Sequence, residues 1–357
     1  IKVLLSVLFI PVVISCSTAP ERKGVNTQIK GDTVKKDKKI KYDVKKKIKL
    51  SISPLHVAVK SGKVKAVIKL IRKGNDVNAK DINLNTPMHY AVEWGHKRII
   101  SVLIKNGADV NALNIYKCSP LSYSMSTQVS RILINKGARI NQRDMWNETY
   151  LHAAAENGIY SIVRLALQKG ALIDAKNYQG DTPLHLAVHY ASTSSHFRII
   201  KELIKRGSDI NVKNNYGWSP LHLAVQKGNI KITRFLIKKG ANINGGTLKY
   251  HKKFNVREKS TALHIAVREF SSSLRIIKLL IKKGADLELK DKSGMTPLGL
   301  AMEELNKPDS EYYGTLKEKL RKRKGLKKVI ELLKKIMTEK HKKVVLKSFY
   351  RYITFVR

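Results

Sequence analysis

The chain has 357 residues, with 70 lysines and arginines against 27 aspartates and glutamates and a formal net charge of +43. Such a chain is attracted to anionic surfaces at low salt, but its charge is spread along the sequence and not collected in one block. It has two cysteines, Cys16 and Cys118, and no zinc-finger spacing, glycine-rich phosphate loop or aromatic-basic RNA motif. These absences argue against a structural metal module, a nucleotide-dependent enzyme and a nucleic-acid reader.

Residues 1–14 form an apolar run broken by Lys2 and Ser6, which leads straight into Ser15-Cys16, so that residues 1–15 read as a signal segment. It is shorter than the roughly 20 residues a spanning helix needs. A basic residue, a short apolar core and a small residue before a cut describe a secretory signal. The small residue followed by cysteine resembles a bacterial lipobox, which implies cleavage after Ser15, diacylglycerol on Cys16 and a mature chain exported and anchored to a membrane, facing the periplasm or the cell surface. An ordinary signal or uncleaved anchor, with Cys16 incidental, is the competing reading. Residues 16–47 are rich in Lys, Thr, Gly and Asp; with so little to bury they are expected to form a flexible tether, reaching on the order of 30 Å.

From residue 48 onward a motif returns about every 33 residues. It reads Ser53-Pro54-Leu55-His56, Thr86-Pro87-Met88-His89, Thr182-Pro183-Leu184-His185 and Ser219-Pro220-Leu221-His222, with weaker copies beginning at Ser119, Thr149, Thr261 and Thr296. An Asp or Asn opens a turn, Ser or Thr caps a helix, and Pro stands in its first turn, where the missing N–H costs nothing. A second apolar-periodic segment follows, for example Ile99, Ile100, Leu103 and Ile104 beside Met88, Ala91 and Val92. A glycine ends that segment at Gly74, Gly107, Gly137, Gly170, Gly207, Gly240 and Gly284. Copies start near residues 48, 81, 114, 144, 177, 214, 256 and 291. The third is about three residues short near 126–128, insertions fall at 191–196 and 245–255, and in the eighth residues 306–324 separate an inner from an outer helix read at 326–333.

This pattern resembles the ankyrin repeat family. The resemblance implies an all-α solenoid of about eight helix-turn-helix repeats over residues 48–337, with turn fingers between them, which binds a protein partner and performs no catalysis. It also implies that His56, His89, His152, His185, His222 and His264 bond to backbone across the turn, with no metal ligand and no cofactor among them. The remaining histidines share no ligand spacing, and His189 with His196 reads as exposed polar sequence. Recognition in such arrays falls on turn tips and inner helices. Tyr116, Trp146, Tyr178, Tyr216 and Trp218 map to successive tips, with Glu148 and Asp181, and also Glu93 and Glu156, as polar companions. They form either a partner-binding ridge or a set of rings stacked on one another as local packing.

Lysines recur at the outer-helix ends, among them Lys105, Lys136, Lys238 and Lys239. They read as solvated ends complementing the helix dipole or as a basic surface. Cys118 maps to a turn, where, if Cys16 carries lipid, it is expected to be an unpaired thiol or, in the competing reading, to form an intermolecular disulfide. Residues 338–357 mix lysines with Phe349, Tyr350, Tyr352 and Phe355, which suits a cap on the last repeat or a membrane-interface segment. The reading as a whole is a membrane-tethered lipoprotein of the bacterial envelope that binds a protein, with an anionic surface as a further partner and no nucleic acid. The alternatives are a secreted host-directed effector and a basic array binding an envelope polymer.

Overall fold

Helices of seven residues lie below the length of about 12–15 at which a helix persists alone in water, and this chain is built on them. The computed structural model describes residues 52–249, 256–269, 273–308 and 315–356. The described residues are helical, with no strand among them. Inner helices Pro54–Lys60, Pro87–Glu93, Tyr150–Glu156, Pro183–His189, Pro220–Gln226 and Ala262–Arg268 have seven residues each. They alternate with outer helices Val64–Arg72, Lys97–Lys105, Thr127–Asn135, Tyr160–Gln168, Ser194–Lys205, Ile230–Lys238 and Ser273–Lys282. Two compact units result: residues 52–178 with 190–203, and residues 179–189 with the described chain from 204 onward.

In the first unit the second repeat shows the plan. Met88, Ala91, Val92, Ile99, Ile100 and Leu103 are buried, while Ile104 is half-buried. Removing such a core side chain as Leu103 costs about 2–5 kcal/mol. Gly74, Gly107, Gly137 and Gly170 end the outer helices at φ between 81° and 88°, and a Cβ there would meet nothing within 4 Å. Backbone conformation, not space, therefore asks for glycine. Asparagines stitch these ends together: Asn78, Asn111 and Asn141 donate to the Gly107, Gly137 and Gly170 carbonyls at 3.0–3.1 Å.

The third repeat departs from the plan. Its inner helix shrinks to a single 3₁₀ turn, Pro120–Tyr123, and Ser122 stands where six other copies have histidine and the eighth has Gly299. The fourth repeat supplies the compensation. Tyr150 occupies the place of proline, and its buried hydroxyl lies 2.5 Å from Ser130 Oγ and donates to the Ser124 carbonyl at 3.0 Å. Burial raises this phenol to about 12.

In the second unit Pro220–Gln226 packs on Pro183–His189 and on Ala262–Arg268. The last pair is Pro297–Asn306 and Leu316–Val356. The final helix thus starts about ten residues before the expected outer segment, because Thr315 and Glu318 form a reciprocal cap at 2.7 and 3.3 Å. Leu326, Val329 and Leu333 on it are buried, and it continues through the segment read as a tail. The tail side chains from 341, and the signal and tether at residues 1–47, lie outside the described residues. Among the described residues no helix is long and apolar enough to cross a membrane.

Candidate functional site

The site is built on the turns, and the turns are built on one acidic or amide side chain each. Asp81 Oδ1 accepts from the Asn83 and Asn85 N–H groups at 2.8 and 2.9 Å. Asn114 does the same for Tyr116 and Cys118, Asp144 for Trp146 and Glu148, Asn214 for Tyr216 and Trp218, and Asp291 for Ser293 and Met295, all at 2.8–3.0 Å. Short polar side chains of this kind fold the backbone over themselves and fix the tip.

The motif histidines lock each turn to the next repeat. Thr86 N–H donates to His89 Nδ1 at 3.0 Å, so Nε2 carries the proton and donates to the Cys118 carbonyl at 3.1 Å. His56 reaches Asn85, His185 reaches Trp218, His222 reaches Gly245 and His264 reaches Met295 at 2.8–3.0 Å. His152 repeats the capping half, accepting from Thr149 N–H at 3.1 Å. Burial, which disfavours the imidazolium, lowers His89 and His222 to about 4 and also lowers His56 and His264. These neutral rings are struts.

In the first unit the tips are tied to one another by main-chain bonds. Ile115 N–H donates to the Asn83 carbonyl, Met145 N–H to Tyr116 and Tyr178 N–H to Trp146, at 2.9–3.1 Å. On this rigid line Tyr116 is 36% exposed and Tyr178 67%, with Trp146 half-buried. Tyr116 and Trp146 stack with centroids 6.1 Å apart and planes 14° apart. Ring stacking and exposure thus coexist. Sequence reasoning missed the apolar neighbours Ile82, Ile115 and Met145, exposed at 67%, 46% and 41%. They stand second in their turns, the position Tyr178 also fills, and that shared position was the available signal.

Three expected site residues take other roles. Trp218 is 1% exposed; it stands fifth in its turn, directly before the helix cap, where the backbone turns the side chain into the core. Glu148 occupies the same place and is buried, accepting from Asn177 Nδ2 at 3.0 Å. Asp181 is half-buried and accepts from Asn214 Nδ2 at 2.8 Å. With Asn85, which accepts from Asn114 at 2.9 Å, they are repeat-to-repeat struts. Glu156 is likewise buried, and burial raises the half-buried Glu93.

The second unit holds Tyr216, 36% exposed beside the exposed Leu248, whose N–H donates to the Tyr216 carbonyl at 2.9 Å. Its later tips are ionic. Arg257 makes bonds of 2.9 and 2.6 Å to Glu303 and lies 3.6 Å from Asp291, while Lys292 pairs with Glu258 at 2.7 Å. Glu303 and the buried Asp291 hold the guanidinium above its ordinary range.

Two side-chain expectations are corrected. Cys118 is fully buried and is not a free thiol. His196 is buried, its Nε2 bonded to the Glu156 carbonyl at 3.0 Å and its Nδ1 to Thr193 at 2.9 Å. Among the described residues no group of three or more His, Cys, Asp or Glu is placed to hold a metal ion.

Comparison with known proteins agrees with this architecture. A model described as ankyrin repeats in three copies matches residues 27–114, 118–214 and 187–247, and one described as ankyrin repeat matches 258–292. NF-kappa-B inhibitor zeta of Mus musculus is 48% identical over 63 residues, 16% of this chain and 8% of that protein. An ankyrin repeat protein of Rickettsia bellii is 38% identical over 56 residues, 16% of this chain and 23% of that one. The chain therefore spans less than a quarter of the length of these relatives. The crystal structure of the human ASB11 ankyrin repeat domain superposes with a TM-score of 0.55 at 25% identity, covering 66% of this chain and 99% of that one. This chain belongs to the ankyrin repeat family, and its all-α solenoid is a protein–protein interaction scaffold.

Proposed function

We infer that the chain is a membrane-tethered protein-binding array whose first-unit turn tips grip a protein partner, without a catalytic step. The observation that carries this reading is the line of exposed apolar tips, Ile82, Ile115, Tyr116, Met145 and Tyr178, with the half-buried Trp146 stacked on Tyr116, on turns already bonded to one another. Rigid aromatic and aliphatic groups presented together lose little entropy on binding and act as anchors. A photo-crosslinking residue placed at Tyr178 should trap one partner in intact cells, and the same residue at Lys239 should not. Equal trapping at both positions would sink the ridge as the contact surface.

The tether rests on the amino-terminal sequence. Ser15-Cys16 after an apolar run supports export, lipid on Cys16 and residence on a bacterial membrane. Lipid on Cys16 leaves the chain no second cysteine for Cys118, which is not a free thiol, so the mass of the mature chain decides between lipid and a disulfide through Cys16. Cells fed a fatty-acid analogue should label the wild-type chain and not Cys16→Ala, and membrane association should disappear with the label. An unlabelled soluble chain with an intact amino terminus would instead support a host-directed effector.

A further inference from the structure

The outer-helix side of the first unit contains a groove that the tip ridge does not use. About 740 Å³ in volume, it is lined by residues from three successive outer helices and the turns before them. Its floor is Gly158, Ile159, Tyr160 and Leu165, and each outer helix contributes one arginine: Arg131, Arg164 and Arg198. All three are exposed, and among the described residues none pairs with a carboxylate. Two are nevertheless held together. The Arg198 guanidinium carbon lies 4.2 Å and that of Arg164 5.9 Å from the centre of the Tyr160 ring. The ring hydroxyl donates to Glu202 at 3.5 Å.

Like charges gathered around one aromatic ring repel, and an anion bound beside both relieves that repulsion. Stacking also pre-orients the planar guanidinium forks, which then bind carboxylates with less entropy lost. The groove has a hydroxyl to add: Ser161 Oγ accepts from Thr127 at 2.8 Å, leaving the Ser161 proton available to a ligand.

We propose that this groove binds an acidic segment of a protein partner in polyproline II conformation, with its carboxylates at every third residue. The spacing follows from the fold. Packed neighbouring helices stand about 8–10 Å apart, and a polyproline II chain advances about 3.1 Å per residue with three residues per turn, so residues three apart span one repeat and face the groove on the same side. Single-stranded nucleic acid fits less well. Its binding relies on open aromatic faces for base stacking, and Tyr160, the one aromatic in the lining, has Arg198 against its ring. The groove is independent of the tip ridge, so either reading can fail without the other.

The test uses the full chain at about 0.15 M salt, where loosely steered surface charge is largely screened. A fluorescent peptide carrying Glu at every third position among Gly and Ser is titrated against wild type, against Arg164→Gln/Arg198→Gln, and against a charge-matched control, Lys238→Gln/Lys239→Gln. Anisotropy should show the arginine pair weakening binding by at least about tenfold, with the lysine pair changing it less than about twofold. Arg131→Gln, on a separate helix, should weaken it too, and a peptide with the same glutamates in one block should bind more weakly. Equal losses in the two double variants, or equal binding of the block peptide, would reduce the groove to part of a diffuse basic surface and overturn the proposal. A labelled oligo-dT that binds more tightly than the peptide and is lost only with the arginine pair would overturn it in favour of nucleic acid. Trp146→Ser/Tyr178→Ser should leave peptide binding unchanged.

Discussion

The turn tips of the first unit and the last tips of the second share one backbone device and carry opposite chemistry. In the first unit Asp81, Asn114 and Asp144 fold tips that present Ile82, Ile115, Met145 and Trp146. In the second, Asp291 folds a tip bearing Lys292 and Ser293, and Arg257 is clamped by Glu303 and Asp291. A tip that keeps its polar groups paired with its own chain has little left to offer a partner, whereas an exposed apolar tip gains only when something covers it. The fold therefore provides the same loop for internal bracing in one place and for contact in another.

Acid should break both units alike, because the brace they share is the neutral histidine. His89 lies in the first unit and His222 in the second, and both fall from 6.5 to about 4. Between those pH values the unfolded chain binds protons that the folded chain rejects, so stability present above about pH 6.5 is lost as pH falls towards 4. Each ring withdraws about 3 kcal/mol over that window. Urea midpoints measured from pH 7.5 to 4 should fall steeply below about 6.5, and a flat profile would contradict the strut role.

The next effect separates the units. Arg257→Ala leaves the buried Asp291 and the half-buried Glu303 without their cation, and the loss of such a partner costs about 2 kcal/mol. Chemical unfolding should register it, while Ile82→Ser at an exposed tip of the first unit should change stability by less than about 0.5 kcal/mol.

Partner capture should respond the other way. Trp146→Ser with Tyr178→Ser should weaken binding about tenfold or more, with a stability cost near the 0.5–1.5 kcal/mol of one ring pair. If stability fell by several kcal/mol with binding otherwise intact, the Tyr116–Trp146 stack would be packing alone. The smallest effect is a gain. Leu84 and Lys117 hold φ of 58° and 56° at the place where the fifth, sixth and eighth repeats have glycine. Relieving that left-handed strain in Leu84→Gly should raise stability by about 1 kcal/mol, less the backbone entropy glycine adds to the unfolded chain. Thermal melting should show a small rise, and an unchanged or lower midpoint would show that the added backbone entropy outweighs the relieved strain.

Much of this was legible in the sequence, and for identifiable reasons. The repeat spacing, the caps, the terminal glycines and the apolar periods of the second repeat are local signals, and each local choice agrees with the helix it predicts. The short third repeat was visible as a gap in the register. That Tyr150, standing in for proline one repeat later, sends its hydroxyl back to Ser130 and Ser124 was not visible, because the contact joins residues up to 26 apart in the chain.

The sequence by itself determined the family, the helix order and the residue that opens each turn, since these follow from backbone propensities acting over a few residues. Only the tertiary structure decided which tip residues face water. Tyr216 and Trp218 both look like tip aromatics on paper, but two places along the same turn separate an exposed ring from a buried one. It also decided that Glu148 and Asp181 brace neighbouring repeats, and that Arg131, Arg164 and Arg198 line one groove. Stacking brings together side chains more than 30 residues apart in the chain, and one-dimensional spacing does not say on which side of the stack they meet.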